Sequence, residues 1–356
     1  MRALIFLAVL LLGVPAAAQT DWAARLTEGD VTLRNFRFRS GETLPELRMH
    51  YATLGTPQRD AAGNVTNAVM VLHGTGGSGR QFLSPQFADQ LYGPGQPLDI
   101  TRYFIILPDN IGHGRSSKPS DGLRTRFPHY DYDDMVEAQR RMLAELGVRQ
   151  LRLVMGTSMG CMHIFVWAEA HPDFARAAMP MACLPTEIAG HNRMWRRMAA
   201  EGIRQDPAWN DGNYTNQPVQ GLRTAVSILQ IAGMNPLQLQ VAYPTRDAAE
   251  AYIDERVTRD IASRDANDLI YQLDSSRTYN PLPDLERIRV PMTWVNSADD
   301  FINPPAYGIA EAAARRMPSA RYVLIPASAE TRGHGTHTWA RFWRQELIDL
   351  LARTGR

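Results

Sequence analysis

Leu151 to Gly160 reads LRLVMGTSMG, and this stretch narrows the choice of fold most. A short apolar run rich in β-formers enters Gly156-Thr157-Ser158-Met159-Gly160, and a helix-forming stretch, Cys161 to Ala170, follows at once. Strand, Gly-x-Ser-x-Gly, helix is the order of a nucleophile elbow, a turn too tight for side chains at its glycines and strained at its serine. Such a turn exposes the Ser158 hydroxyl at a helix N-terminus, where N–H groups and the helix dipole favour negative charge. The pattern alone would arise by accident roughly one time in ten in a chain this long. The reading therefore depends on whether the companion parts are present.

Strand-like runs occur at Val31–Phe38, Leu47–Leu54, Ala68–Leu72, Tyr103–Pro108, Leu151–Met155, Ala177–Ala182, Met292–Asn296 and Arg321–Ile325. From the third onward they alternate with helical patterns at Tyr132–Leu146, Met159–Ala170, Tyr307–Arg316 and Trp339–Ala352. That alternation predicts a mostly parallel eight-stranded sheet with helices on both faces, and the first two runs an antiparallel edge. Residues 184–283 break it. They hold helical stretches such as Arg193–Arg204, Gly221–Ile231 and Ala248–Arg264, with scattered Met, Trp and Tyr and no strand. This segment reads as a helical lid inserted into a core of residues 19–183 and 284–356. Its Met content hints at a hydrophobic acyl chain, although Met and Trp at helical spacing more often form core.

The 356 residues are 44% hydrophobic with a net charge of +1, which suits one large core and argues against nucleic acid as a partner. Residues 1–18 stand apart. Arg2, the apolar run Ala3–Val14 and the small residues Ala16-Ala17-Ala18 make a secretory signal peptide pattern. The apolar run is shorter than the ~20 residues that span a bilayer, so no stable membrane span is expected after its removal. Export to a periplasm or beyond is the expectation. The two cysteines, Cys161 and Cys183, are too few for a disulfide framework. An oxidising compartment would allow a bridge, but two buried, unpaired thiols are expected.

An elbow serine needs a base, a group to orient that base, and donors for an oxyanion. After the seventh strand comes Asn296-Ser297-Ala298-Asp299-Asp300-Phe301-Ile302-Asn303-Pro304. Asp300 is preferred as the orienting acid for its Asp-x-x-x-Pro spacing; Asp299 is the alternative, and either could simply cap the next helix. After the eighth comes Arg332-Gly333-His334-Gly335-Thr336-His337. His334, in a Gly-flanked loop able to reach the elbow, is preferred over His337. A metal held by both lacks a third ligand of suitable spacing. Met159 and Thr75 are the expected backbone donors, Thr75 from His73-Gly74-Thr75-Gly76-Gly77-Ser78-Gly79. That loop also fits G-x-G-x-x-G, but no ribose-binding acid follows, so neither a dinucleotide nor any other cofactor is expected. Asp109 to Pro119 reads as a structural turn over the site, with His113 not catalytic.

The set HGTGG, DNIGHGRSSKP, GTSMG, DDFINPP and GHG, in this order, resembles the α/β-hydrolase superfamily. Within it, Tyr51-Ala52-Thr53-Leu54-Gly55, Asp134-Met135-Val136-Glu137-Ala138-Gln139 and Asp206-Pro207-Ala208-Trp209 through Tyr214 are similar to the homoserine O-acetyltransferases. The likeness runs from about residue 40 to 345 and implies an α/β-hydrolase fold, a small-molecule acyl substrate and a homodimer through the lid. Departures accompany it. The family's Arg that holds the homoserine carboxylate is Val226 here, with Arg223 one turn earlier as a stand-in. The Asp following its catalytic His is Gly335. These departures and the expected export favour water as acceptor, hence an exported serine hydrolase acting on an ester through Ser158, Asp300 and His334. An acyltransferase of the homoserine O-acetyltransferase kind is the alternative, and an inert binding module the second.

Overall fold

The computed structural model describes residues 20–355; the signal-peptide pattern of residues 1–18 lies outside them. Among the described residues, eight strands form one sheet: β1 (Thr27–Arg37), β2 (Thr43–Leu54), β3 (Ala68–Leu72), β4 (Phe104–Pro108), β5 (Leu153–Thr157), β6 (Ala178–Met181), β7 (Met292–Ser297) and β8 (Ala320–Ile325). Their order is β1-β2-β4-β3-β5-β6-β7-β8. β1 and β2 pair antiparallel at the edge, and everything from β4 to β8 is parallel. β3, β4 and β5 are buried along their whole length, which is why each reads as an unbroken apolar run instead of an alternation.

Successive residues of the central strands point to opposite faces. Met70 and Leu72 join a core with α2 (Tyr132–Glu145), α3 (Met159–Ala170) and α9 (Ile309–Arg316). Val69 and Val71 face α1 (Pro85–Leu91) and α10 (Arg344–Arg353). Helices therefore cover both faces. α3 is buried almost all round, as a helix wedged between sheet and α2 must be. α2 starts on a reciprocal cap: the Asp131 carboxylate accepts from Asp134 N at 3.0 Å, and Asp134 from Asp131 N at 3.1 Å.

Between β6 and β7 lie α4 (Gly190–Arg204), α5 (Val219–Gly233), α6 (Pro236–Ala242), α7 (Arg246–Ala262) and α8 (Ala266–Asp274). α4, α5 and α8 share a core of their own through Trp195, Ala199, Leu222, Ala225 and Leu269. Some details differ from the sequence reading. The last helix begins at Arg344, because Ala340–Phe342 winds as a 3-10 turn. α9 begins at Ile309, after Gly308 adopts a left-handed φ of 63°. Cys161 and Cys183 are joined in a disulfide with Cα atoms 5.9 Å apart, so the expected free thiols are not present. The first turn of α3 and the end of β6 lie side by side, which brings the two together. Among the described residues, no helix is long and apolar enough to cross a membrane.

Candidate active site

The turn after β5 holds Ser158 at φ 56° and ψ −112°, a conformation costly for any residue with a side chain. Its neighbours explain the glycines. A Cβ on Gly160 would lie 2.2 Å from the Leu72 carbonyl oxygen, and one on Gly156 2.5 Å from that of Gly160. The strained turn is locked by Ser158 N donating to Met181 O at 2.8 Å and Gly160 N to His73 O at 3.0 Å.

His334 Nε2 stands 2.9 Å from Ser158 Oγ, and His334 Nδ1 2.9 Å from Asp300 Oδ2. Asp300 is buried and also accepts from Ile302 N at 2.8 Å and Asn303 Nδ2 at 2.9 Å. Burial alone would raise its pKa. His334 and the Asn303 and Ile302 donors outweigh it and hold the carboxyl below the usual range. It is therefore a carboxylate that fixes His334 with a proton on Nδ1 and a lone pair toward the serine.

The rival residues occupy other posts. Asp299 does not touch His334. Its Oδ2 accepts from Thr331 Oγ1 at 2.6 Å, Gly333 N at 3.1 Å and Asn235 Nδ2 of the lid, so it ties the histidine loop to the end of β7 and to the lid. His337 is half-buried beside His334, ring centres 5.2 Å apart, and desolvation, then the neighbouring His334, pushes its pKa down to about 3.

The Thr75 loop lies against the elbow: a Cβ on Gly74 would be 3.3 Å from Ser158 Cβ. Neither Thr75 N nor Met159 N has a partner among the described residues, as expected for Met159 at the head of a helix. Both amides without partners thus belong to residues beside Ser158, Met159 next to it in the chain and Thr75 in the same cavity wall. His73 props this loop, its Nδ1 donating to Gly74 O at 2.9 Å while Nε2 accepts from Asn110 N at 3.1 Å. Asp109 accepts from Gly79 N and Arg115 N, both at 2.8 Å, and clamps the same loop to the Asp109–Pro119 turn, where His113 is buried with Nδ1 on Ile111 O. Sequence reasoning missed these props, since no local pattern announces contacts made between distant loops.

Beneath the elbow runs a buried polar chain. Asn110 Nδ2 reaches His73 Nε2, Gln139 Nε2 donates to Asn110 Oδ1 and to His163 Nδ1, and Trp167 Nε1 donates to Gln139 Oε1. Burial keeps His73, His113 and His163 neutral, with His163 pushed down to about 3. Once unfolded, each takes up a proton below about pH 6.5. The contribution of these imidazoles to stability is therefore full above that pH and falls on acidification, by up to about 1.4 kcal/mol per pH unit for each. Burial acts the other way at Asp134, Glu169 and Asp268, raising their pKa values to about 6, 7 and 7, so the imidazole share is read by difference. Between pH 7 and 5 the Tm of His163→Gln should fall less, or rise more, than that of the parent chain, and an equal pH dependence in the two would contradict this account.

The lid closes a cavity of about 380 Å³ over Ser158, His334 and Thr75, a volume suited to a small molecule. Met194 and Met198 face solvent, 61% and 58% exposed, whereas Met234, the third methionine of the lid, lines the cavity with Leu229, Leu239 and Leu269. Val226 is buried and Arg223 exposed, and neither lines the cavity. Arg223 is therefore no stand-in for the family's arginine.

A parallel sheet with a strained serine at the end of its central strand, an acid after β7 and a histidine after β8 defines a class, and residues 67–330 match it: the chain belongs to the alpha/beta hydrolase fold family, enzymes with a serine nucleophile. Within that family it is homoserine O-acetyltransferase-like. It is 30% identical to the homoserine O-acetyltransferase of Pelobacter propionicus over 314 residues, 78% of this chain and 83% of that one. Other relatives of the same name are matched over 52–58% of their own length. The homoserine O-acetyltransferase of Bacillus anthracis superposes with a TM-score of 0.80 at 20% identity, covering 92% of this chain and 97% of that one. Esterase E22 superposes with a TM-score of 0.80 at 19% identity, covering 92% and 100%. At such identities the two structures speak to the fold alone.

Proposed function

We propose that the protein is a serine acyltransferase, taking an acyl group from an activated ester or thioester onto Ser158 and passing it to a hydroxyl acceptor. The observation that carries this reading is the unbroken relay Ser158–His334–Asp300, with both contacts at 2.9 Å and two unclaimed amides in residues beside the serine. Ser158 Oγ attacks the carbonyl while His334 Nε2 takes its proton, and Asp300 stabilises the imidazolium. The carbonyl oxygen, now negative, accepts from Thr75 N and Met159 N; such donors contribute about 3–4 kcal/mol each at the transition state. The leaving group departs with the proton from His334. The acceptor hydroxyl then repeats the sequence in reverse on the acyl-enzyme.

Relatives named homoserine O-acetyltransferase, one matched over 78% of this chain, support transfer over the hydrolysis expected from sequence. Hydrolysis is the second reading, favoured by Val226 and Gly335 at the positions where a homoserine-binding Arg and Asp are expected. Export belongs to this proposal too. The pattern of residues 1–18 and the buried Cys161–Cys183 bridge support it, because disulfides persist in oxidising compartments. An exported enzyme would draw its acyl group from an ester instead of cytoplasmic acetyl-CoA.

The test follows acyl flux. With p-nitrophenyl acetate as donor, homoserine and a panel of hydroxy compounds should divert acetyl from water and yield O-acetylated product; acetyl-CoA is run in parallel. Acetate as the sole product under every acceptor would replace transferase by hydrolase. Absence of both turnover and fluorophosphonate labelling in a folded sample would leave only the inert binding module.

A further inference from the structure

The cavity over Ser158 has an unusual wall. Arg196 of α4, Arg256 of α7, Arg264 and Arg332 all line it, against one acid, Asp260. Two of these cations are accounted for. Arg256 Nε lies 3.6 Å from Asp260 Oδ2, and Arg332 Nη1 donates to the Glu330 and Thr331 carbonyls at 2.9 and 3.3 Å. Arg196 and Arg264 form no ion pair among the described residues, although the Arg196 guanidinium lies over the Trp195 ring, 4.7 Å from its centre. Arg196 is 3% exposed; its Nε donates to Asn192 Oδ1 at 2.9 Å, and its Nη1 has no partner among the described residues. Arg264 Nε has none either, and its side chain donates to no residue described.

A guanidinium stays charged in a protein interior, and a buried charge without a counterion costs several kcal/mol. Burial presses against the charged form of both residues. A fold that keeps two such groups in its substrate cavity has left room for an anion. We propose that the substrate carries a carboxylate, held by Arg196 and Arg264 while its ester carbonyl meets Ser158. This deepens the acyl-enzyme reading and rests on it for the placement of the ester.

The position follows from the oxyanion loop. Gly74 packs on Ser158, and a Cβ on Gly76 would lie 2.5 Å from Arg264 Nη1. Two residues of extended chain span at most ~7 Å, so the carboxylate site stands a few carbon–carbon bonds from the reacting carbonyl. A carboxylate suits the place because its two oxygens match the guanidinium fork. The pocket thus trades the arginine expected on α5, where Val226 stands, for arginines on α4 and just before α8. The carboxylate can belong to the acyl half of the ester or to the alcohol half, and the experiment separates the two.

Two matched pairs serve as substrates. Mono-p-nitrophenyl glutarate against its methyl ester places the charge on the acyl side. Acetoxybutanoate against its methyl ester places it on the alcohol side. In one pair the acid should exceed its neutral partner in kcat/KM by about tenfold or more. That ratio should collapse in Arg264→Gln and in Arg196→Gln, and return in part with Arg264→Lys; a merely structural role would lower both members of a pair together. Free glutarate should raise the Tm of Ser158→Ala saturably, and not that of Ser158→Ala with Arg264→Gln. Neutral esters turned over at least as fast as the acids, with no glutarate shift, would overturn the proposal and leave the acyl-enzyme standing. An arginine-dependent glutarate shift without turnover of any ester would do the reverse.

Discussion

Replacing Ser158 with alanine is expected to lower kcat by about a million-fold, since a relay of this kind acts as a unit and loses nearly all its effect with its nucleophile. The substitution leaves the elbow intact. Alanine fits wherever serine does, and the backbone locks through Met181 O and His73 O do not use the hydroxyl. Tm and far-UV spectra should therefore stay close to those of the parent chain. A residual rate above the uncatalysed one is expected, because the Thr75 and Met159 amides still face the carbonyl and the lid still holds it. Mass spectrometry after a p-nitrophenyl ester pulse gives the direct readout. Acyl adduct on the parent and none on the variant is the expected pair of spectra, and an adduct that persists in Ser158→Ala would assign the nucleophile elsewhere.

The second large effect is expected at Asp300. Asparagine there is nearly isosteric and keeps an oxygen for Ile302 N, but its amide would present N–H to His334 Nδ1. The imidazole would then carry its proton on Nε2, pointing at Ser158, and could not accept the hydroxyl proton. A loss of about 10⁴ in kcat is the scale set by the same exchange in another serine relay. Asp299→Asn is the internal control. Asp299 anchors Thr331 and Gly333 and touches no relay atom, so its loss should loosen the histidine loop and cost far less in kcat. Equal losses at the two positions would show that the acid behind His334 has been misplaced.

The sheet was legible wherever burial is two-sided. β3 and α3 were read to the residue, because an apolar run between turn signals has sharp ends. β1 starts four residues before its apolar pattern does, since its edge residues, Glu28 and Asp30 among them, are partly exposed and carry no periodicity. α1, α6 and α8 were not read at all: at seven, seven and nine residues, each is too short for a helical period to stand out. At the site, Ser158, Asp300, His334, Thr75 and Met159 were each named from a local motif, and the structure gathers them around one hydroxyl. The props were not legible. Asp299 meets Asn235 through packing of the lid on the core, and His73 meets Asn110 where two core loops pack, and no spacing along the chain encodes such meetings. The Cys161–Cys183 bridge was missed for the same reason.

The hydrogen-bonded line from the Gly74 carbonyl through His73, Asn110 and Gln139 ends on the Trp167 indole. A native chromophore is thereby wired to the loop that cradles the reacting oxygen. Comparing emission with a Trp167→Phe sample would isolate that one ring, turning an inward-facing side chain into a label-free gauge of when the loop engages a ligand.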